Sequence, residues 1–125
     1  MSGYTLDAGA LIAYERGDRT TTALVRKALV DDWVLAIPAG VVGQVWRDGR
    51  RQARLAKLLA TDGVVIEPLD ERRAREAGTL CGLRDTDDVI DASVVLCARS
   101  RGHRVVTADP EDLELLDPRL VLIVV

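Results

Sequence analysis

Aspartates stand at the ends of two apolar runs in this sequence. Asp7 follows Tyr4, Thr5 and Leu6, and Asp109 follows the run at 105–108. An acidic side chain just after a buried parallel strand points into the crevice where open α/β sheets bind ligands. Carboxylates gathered there repel one another, by about 4 kcal/mol per pair at roughly 4 Å and an effective dielectric near 20, unless a cation joins them. The pattern therefore predicts a divalent-metal site.

Further acids belong to this predicted site. Asp88 and Asp91 are three residues apart on one face of a predicted helix, and Asp112 follows Asp109 by three residues. Mg²⁺ and Mn²⁺ bind a few carboxylates, several waters and phosphate oxygens. Such an ion can polarise a phosphodiester and lower the pKa of an attacking water. The alternative is that single aspartates are helix caps, which fits Asp87 and Asp109 well; for the acids taken together we favour the metal.

A second pattern is basic. Four arginines would share one helix face if the helix continues through Gly49, namely Arg47, Arg50, Arg51 and Arg54. Lys57 extends this stripe. A basic face beside an acidic metal pocket would hold a polyanionic backbone while the metal acts at the scissile phosphate. The alternative is an ordinary solvated helix face.

Length and composition narrow the class of protein. The 125 residues predict a single domain over 1–125, long enough for a hydrophobic core. The net charge of −3 excludes a generally basic nucleic-acid binder, and an aromatic content of 3% argues against an aromatic platform for stacked bases. Cys81 and Cys97 lack metal-ligand spacing and are expected to be reduced thiols. No signal peptide or long apolar span is apparent, so we expect a cytoplasmic protein without membrane contact.

Predicted strands alternate with predicted helices. The strands are expected at 4–7, 34–38, 64–66, 105–107 and 120–125, and the helices at 8–15, 20–32, 40–47, 50–60, 70–83, 87–100 and from 110 onward. Thr86 or Asp87 is the expected cap of the helix that carries Asp91. Continuous Val, Ile and Leu runs indicate strands buried on both faces, and therefore a parallel sheet in an α/β fold. If the first and fourth strands are neighbours, Asp7 and Asp109 lie side by side.

Together these segments resemble the PIN-domain family, and within it the VapC-type toxin ribonucleases of bacterial toxin–antitoxin pairs. The matching segments are 6–13, 88–92 and 106–113, in the family's order and at its usual length. The resemblance implies a three-layer α/β/α sandwich with a parallel sheet and a Mg²⁺- or Mn²⁺-dependent endoribonuclease. It also implies a VapB-like antitoxin partner and a homodimer.

The resemblance also implies roles for individual residues. Asp7 matches the first acid of the family and Asp109 the acid after the fourth strand. Asp88 and Asp91 both match the acid of the late helix, and the sequence does not choose between them. Asp112 matches an auxiliary acid.

Gln44 departs from the family pattern, because the family usually has Glu in the helix after the second strand. A neutral amide can still accept a hydrogen bond from a metal-bound water, but it removes one negative charge. We expect weaker metal binding, or a larger share of the work for Asp88, Asp91 and Asp112. Thr107, two residues before Asp109, could position a metal-bound water.

Other classes fit the sequence less well. A phosphoacceptor receiver domain needs a Lys after a late strand, and Lys27 and Lys57 fall elsewhere. The glycines form no nucleotide phosphate loop. His103 has no Ser or Cys partner in a recognisable arrangement and is expected to be a loop residue. A catalytically weak PIN-like module that binds RNA or a protein partner remains open because of Gln44.

Overall fold

A computed structural model describes residues 2–125 and contains a five-stranded, all-parallel sheet with the strand order β3-β2-β1-β4-β5. The strands are β1 (Gly3–Leu6), β2 (Val34–Pro38), β3 (Val64–Glu67), β4 (Arg104–Thr107) and β5 (Leu122–Val124). Seven helices lie within the described residues: α1 (Ala8–Glu15), α2 (Arg19–Val30), α3 (Ala39–Val45), α4 (Ala53–Leu59), α5 (Glu71–Arg84), α6 (Val89–Arg101) and α7 (Pro110–Leu116). The predicted parallel α/β fold is confirmed.

The order of the strands places helices on both faces of the sheet. From β1 the chain moves outward to β2 and β3, and then returns to β4 on the other side of β1. Because crossovers between parallel strands are right-handed, these two directions of travel put their helices on opposite faces. Accordingly, α1 and α2 pack on β1 and β2, whereas α5 and α7 pack around α6, which contacts the sheet itself. The three-layer α/β/α sandwich is confirmed.

The connections that follow β1 lead toward the β3 edge of the sheet, whereas the connection that follows β4 leads toward the β5 edge, so the direction changes between β1 and β4. These two strands are neighbours, with Leu6 paired to Val106, as the sequence analysis required. The carboxyl ends of strands at such a switch point border the crevice in which open α/β sheets bind ligands. Asp7 follows β1, and Asp109 follows β4 by two residues, so both lie at this crevice.

The prediction that every strand is buried on both faces is wrong at the two edges of the sheet. Leu35 and Ile37 in β2 and Val105 in β4 are fully buried. Ile66 in β3 and Val124 in β5 are exposed, because an edge strand has a neighbour on one side only. The last strand is also shorter than predicted.

The predicted helices at 40–47 and 50–60 are separated more widely than expected. α3 ends at Val45 and α4 begins at Ala53, so residues 46–52 form a loop, which we call the arginine loop. The side chain of Gln52 stabilises the break, because its Oε1 accepts hydrogen bonds from the backbone N–H groups of Arg47 and Asp48, at 2.7 and 3.0 Å. Those donors would otherwise favour continuation of the helix.

Both cysteines are buried free thiols, as expected. No helix within residues 2–125 combines the length and apolar character needed to cross a membrane.

Candidate active site

Asp7 is the buried centre of the acidic site, with only 5% of its surface exposed. It is the N-cap of α1, and its Oδ1 accepts a hydrogen bond from the N–H of Ala10 at 2.9 Å. Its Oδ2 accepts a hydrogen bond from the hydroxyl of Thr107, which is also buried. Burial raises the pKa of Asp7, and the hydrogen bonds from Thr107 and Ala10 offset part of that rise.

The backbone of Asp109 bonds to the same Thr107 hydroxyl. Thr107 Oγ1 accepts a hydrogen bond from the backbone N–H of Asp109 at 2.9 Å. Asp109 occupies the N-cap position of α7, but its exposed carboxylate makes no capping hydrogen bond there. Its negative charge contributes to the raised pKa of Asp7. The carboxylate of Asp109 is therefore close to Asp7 and is not committed to the helix, contrary to the simple capping alternative.

A glycine permits this close approach of the two strand ends. A Cβ on Gly9, in the first turn of α1, would come within 2.7 Å of the Ala108 Cβ. Such a separation essentially never occurs between real side chains, so any larger residue would push α1 away from the segment that leads to Asp109. Gly9 thus sets the spacing between Asp7 and Asp109.

Asp88 and Asp91 lie together at the start of α6. The N-cap is Asp88, so the predicted cap at Thr86 or Asp87 is wrong by one or two residues. Asp88 Oδ1 accepts a hydrogen bond from the N–H of Asp91 at 2.9 Å. This bond occupies one oxygen of Asp88 and leaves the Asp91 carboxylate half-buried beside it.

The pKa of Asp91 is the clearest indication that the acidic side chains repel one another. Burial and the neighbouring Asp88 raise the pKa of Asp91 to about 7, and the charges of Asp112 and Asp7 add to the rise. None of these main causes is a basic side chain. Since Asp109 acts on Asp7 in the same way, the charges of the five predicted aspartates influence one another, and we call these residues the acidic group.

The donor chemistry of this group fits a hard divalent cation. Carboxylate oxygens are the ligands that Mg²⁺ and Mn²⁺ prefer, and a cation would relieve the repulsion that raises the pKa of Asp91. Within residues 2–125, no three His, Cys, Asp or Glu side chains are gathered closely enough to hold one ion as they stand. The acids therefore do not form a closed metal site in this conformation, and one oxygen of Asp88 is already held by the Asp91 N–H.

Gln44 occupies α3, with an exposed side chain. α3 packs against α1 and α6, the helices whose first turns carry Asp7 and Asp91. The position that departs from the family pattern therefore lies on a helix that borders the acidic site.

The predicted basic stripe on a single helix face does not exist, because the helix stops before its first arginine. Arg47 turns back and donates to the carbonyl oxygens of Gly43 and Trp46, at 3.1 and 2.6 Å. Arg50 and Arg51 are exposed in the arginine loop.

Arg54 points inward and has a structural role. Its Nε donates to the Tyr14 carbonyl at 2.8 Å, one Nη donates to Thr22 Oγ1 at 2.9 Å, and its guanidinium lies 4.3 Å from the centre of the Tyr14 ring. These contacts connect α4 to α1 and α2. These contacts give Arg54 a packing role, and the RNA contacts predicted for Arg47, Arg50, Arg51 and Arg54 stay predictions.

His103 is not part of the acidic site. It precedes β4 and therefore lies at the opposite end of that strand from Asp109. As expected, His103 lies in the loop between α6 and β4; its ring is buried, and its Nδ1 lies 3.1 Å from Thr5 Oγ1. Burial lowers the pKa of His103, which favours the neutral ring.

The sequence analysis missed Gln52. Its Nε2 donates to the Val45 carbonyl at 2.8 Å and to Glu15 Oε1 at 3.3 Å, in addition to the bonds that its Oε1 accepts. The bond to Glu15 spans 37 positions of the chain. No local spacing rule could have indicated it.

The fold and this acidic edge define a PIN-type α/β domain. The model of the PIN domain family matches residues 4–116, and the chain belongs to this family. A comparison with curated proteins found no significant match.

Solved structures of similar fold include toxin–antitoxin proteins. VapBC2 from Rickettsia felis, bound to a DNA fragment from its promoter, is 15% identical over 100% of this chain and 99% of that chain, with a TM-score of 0.71. A toxin–antitoxin complex from Klebsiella pneumoniae is 17% identical over 88% and 89%, with a TM-score of 0.64. VapC20 from Mycobacterium tuberculosis, a toxin that cleaves the sarcin-ricin loop, is 18% identical over 82% and 85%, with a TM-score of 0.60. At these identities the comparison shows the fold.

Proposed function

We propose that this protein is a Mg²⁺- or Mn²⁺-dependent endoribonuclease and the toxin of a VapBC-type toxin–antitoxin pair. The observation that carries the proposal is the position of the acidic group at the switch point between β1 and β4. There, Asp7 is buried against Thr107, and burial together with the negative charge of Asp88 raises the pKa of Asp91 to about 7. Membership of the PIN family and the similarity of fold to VapC toxins support it.

Each acid has a proposed role. Asp7, Asp109 and one or both of Asp88 and Asp91 would hold the metal, and Asp112 would add negative charge beside it. When bound, the ion supplies Lewis-acid activation of the phosphodiester and of the attacking water. Thr107 orients Asp7 by donating to Oδ2, so that the carboxylate is held in place before the substrate arrives.

The same comparison supports an antitoxin partner. Among the similar folds are the VapBC2 assembly and a further toxin–antitoxin complex, and we propose a VapB-like antitoxin for this chain. We also propose a homodimer that acts in the cytoplasm, where RNA is available.

The direct test is cleavage of total RNA by the purified protein, with the cut sites mapped. We expect cleavage with Mg²⁺ or Mn²⁺, none in EDTA, and a loss of at least a hundredfold in rate for Asp7→Asn, which keeps the shape of the side chain but removes its charge. The matched control is Asp62→Asn, since Asp62 is an exposed acid in the turn before β3. Equal cleavage in EDTA, or by Asp7→Asn, would overturn the metal mechanism.

The second candidate is a PIN-like module that binds RNA or a partner without efficient cleavage. Gln44 favours it, because the site lacks the carboxylate that the family usually has there. Tight RNA binding without detectable cleavage at millimolar Mn²⁺ would support this candidate over the first.

A further inference from the structure

The arginine loop is a preformed structure. Gln52, the last residue of the loop, bonds to the backbone at the start of the loop: it accepts from Arg47 and Asp48 and donates to the carbonyl of Val45, the last residue of α3. Its further bond to Glu15 fastens the loop to the end of α1. Since the amide uses both its donor and its acceptor capacity, the loop is held in one conformation before any ligand binds.

Asp48 fixes the turn that presents the exposed arginines. Its Oδ1 accepts from the N–H of Arg50 at 3.0 Å, and its carbonyl accepts from the N–H of Arg51 at 3.0 Å. The Arg51 side chain lies 4.0 Å from the Asp48 carboxylate and is 89% exposed, so this pairing is weak. A phosphate can therefore replace the water around the Arg50 and Arg51 side chains without breaking a strong ion pair.

A partly exposed aromatic ring lies in the same loop. Trp46 is the C-cap of α3 and is 37% exposed. Its six-membered ring lies against Gly49, where a Cβ would come within 2.9 Å of Cζ2. Because position 49 is a glycine, the loop backbone can pack against the Trp46 ring, and part of the surface of that ring stays exposed to solvent.

The loop lies within reach of the acidic site. Asp7 caps the start of α1 and Glu15 ends it, and the eight residues of this helix span about 12 Å. The arginine loop and the acidic site therefore lie at opposite ends of α1, separated by about the 12 Å length of that helix.

We propose that the arginine loop binds a single-stranded segment of RNA, with one base stacked on Trp46 and the flanking phosphates contacted by Arg50 and Arg51. This inference rests on the proposed ribonuclease function and adds a contact surface for the RNA outside the acidic site. Unpaired bases can stack on aromatic side chains, whereas the bases of a duplex are covered by one another. The inferred site accepts one base, which is compatible with the low aromatic content of the chain.

The test measures binding without cleavage. Wild-type protein in EDTA is titrated with a fluorescently labelled single-stranded RNA oligomer and with the duplex of the same sequence. We expect the single strand to bind at least tenfold more tightly than the duplex. Trp46→Leu is expected to weaken binding of the single strand by about tenfold. In this variant only Trp33 contributes tryptophan fluorescence, and we expect that RNA no longer quenches it.

The two arginines are tested by the salt dependence of the same binding. Arg50→Ala with Arg51→Ala should reduce the slope of log affinity against log salt by about 1.4 for a single strand. The control with the same change in charge is Arg72→Ala with Arg75→Ala, on the exposed surface of α5, which should leave the slope unchanged. Thermal melting of each variant verifies that it is folded.

Single-strand binding by Trp46→Leu equal to that of the wild type would overturn the inference and assign the exposed ring to a protein interface. Equal affinity for the duplex would also overturn it. Because all measurements are made in EDTA, they are independent of cleavage. Failure of the loop to bind is thus distinct from failure of the proposed nuclease activity.

Discussion

The hydroxyl of Thr107 donates a hydrogen bond to Asp7 and links the carboxyl ends of β1 and β4. The Thr107 Oγ1 also accepts a hydrogen bond from the backbone N–H of Asp109. One side chain therefore orients the buried acid and positions the segment that carries the exposed one. Removing the hydroxyl should affect both acids at once.

Thr107→Val tests this relationship, because it replaces the hydroxyl by a methyl group of similar size. It leaves a buried carboxylate oxygen and a backbone N–H without their partner, and we expect the free energy of unfolding to fall by about 1–3 kcal/mol. Loss of the bond should also raise the pKa of Asp7 further, since Thr107 now lowers it. We expect weaker Mn²⁺ binding by calorimetry and slower RNA cleavage.

The matched control is Thr107→Ser, which keeps the hydroxyl and removes only a methyl group. It should retain Mn²⁺ affinity within about threefold, at a stability cost of about 1 kcal/mol for the lost methyl group. If Thr107→Val and Thr107→Ser bind Mn²⁺ equally well, the hydroxyl has no role in orienting Asp7.

The raised pKa of Asp91 predicts that the stability of the metal-free protein depends on pH. Its pKa is about 7 in the folded protein, against 3.8 for an ordinary Asp, so the folded state binds the proton more tightly than the unfolded chain. The resulting stabilisation is fully present below about pH 4 and is lost as the pH rises through about 7. Because Asp91 is partly exposed, we expect a loss on the order of 1–2 kcal/mol, less than full linkage gives.

This trend is measured as the melting temperature in EDTA between pH 5 and pH 8, for the wild type and Asp91→Asn. His103 acts in the opposite direction, since its lowered pKa removes stability as the pH falls, and the comparison with Asp91→Asn cancels its contribution. We expect the wild type to lose more stability with rising pH than the variant, and Mn²⁺ to restore it at pH 8. Parallel curves for the two proteins would contradict the shifted pKa.

The parts of the site that depend on strand ends were predictable from the sequence. Asp7 and Asp109 directly follow apolar runs, and the ends of neighbouring parallel strands meet at one edge. The cap of α6 was less certain, because residues 86–88 offer successive capping side chains and their spacing alone does not select Asp88. Local patterns thus locate the acids to within one turn.

The arginine loop could not be predicted from local pattern. Arg is a good helix former, so the spacing of Arg47, Arg50 and Arg51 favoured a continuous helix. The break is stabilised by Gln52, which contacts Glu15 on another helix. Likewise, the inward position of Arg54 depends on Tyr14 and Thr22, which no spacing within α4 reveals.

Gln44→Glu should strengthen metal binding. The substitution restores the acid that the family usually has in this helix, and α3 packs beside α1 and α6 at the acidic site. A further carboxylate within about 4–6 Å of a bound cation adds favourable Coulomb energy, even after solvent screening. We expect Mn²⁺ affinity to rise about tenfold and the rate of RNA cleavage at limiting metal to rise with it.

The control for Gln44→Glu is Gln44→Ala, which removes the amide without adding charge and should leave Mn²⁺ affinity within about threefold of the wild type. In the metal-free protein, Gln44→Glu should also lower the melting temperature at pH 8, because it adds repulsion to the acids. A gain in stability in EDTA would show that position 44 lies outside the acidic group.

Arg54→Ala separates the structural arginine from the exposed ones. Arg54 bonds to the Tyr14 carbonyl and to Thr22, and its guanidinium lies over the Tyr14 ring, so its loss removes contacts among α1, α2 and α4. We expect the free energy of unfolding to fall by about 2–3 kcal/mol, from lost hydrogen bonds and the cation–π contact. The slope of RNA affinity against salt should not change, whereas it should fall for Arg50→Ala with Arg51→Ala. A smaller slope for Arg54→Ala, with unchanged stability, would return Arg54 to the RNA surface and contradict its inward contacts.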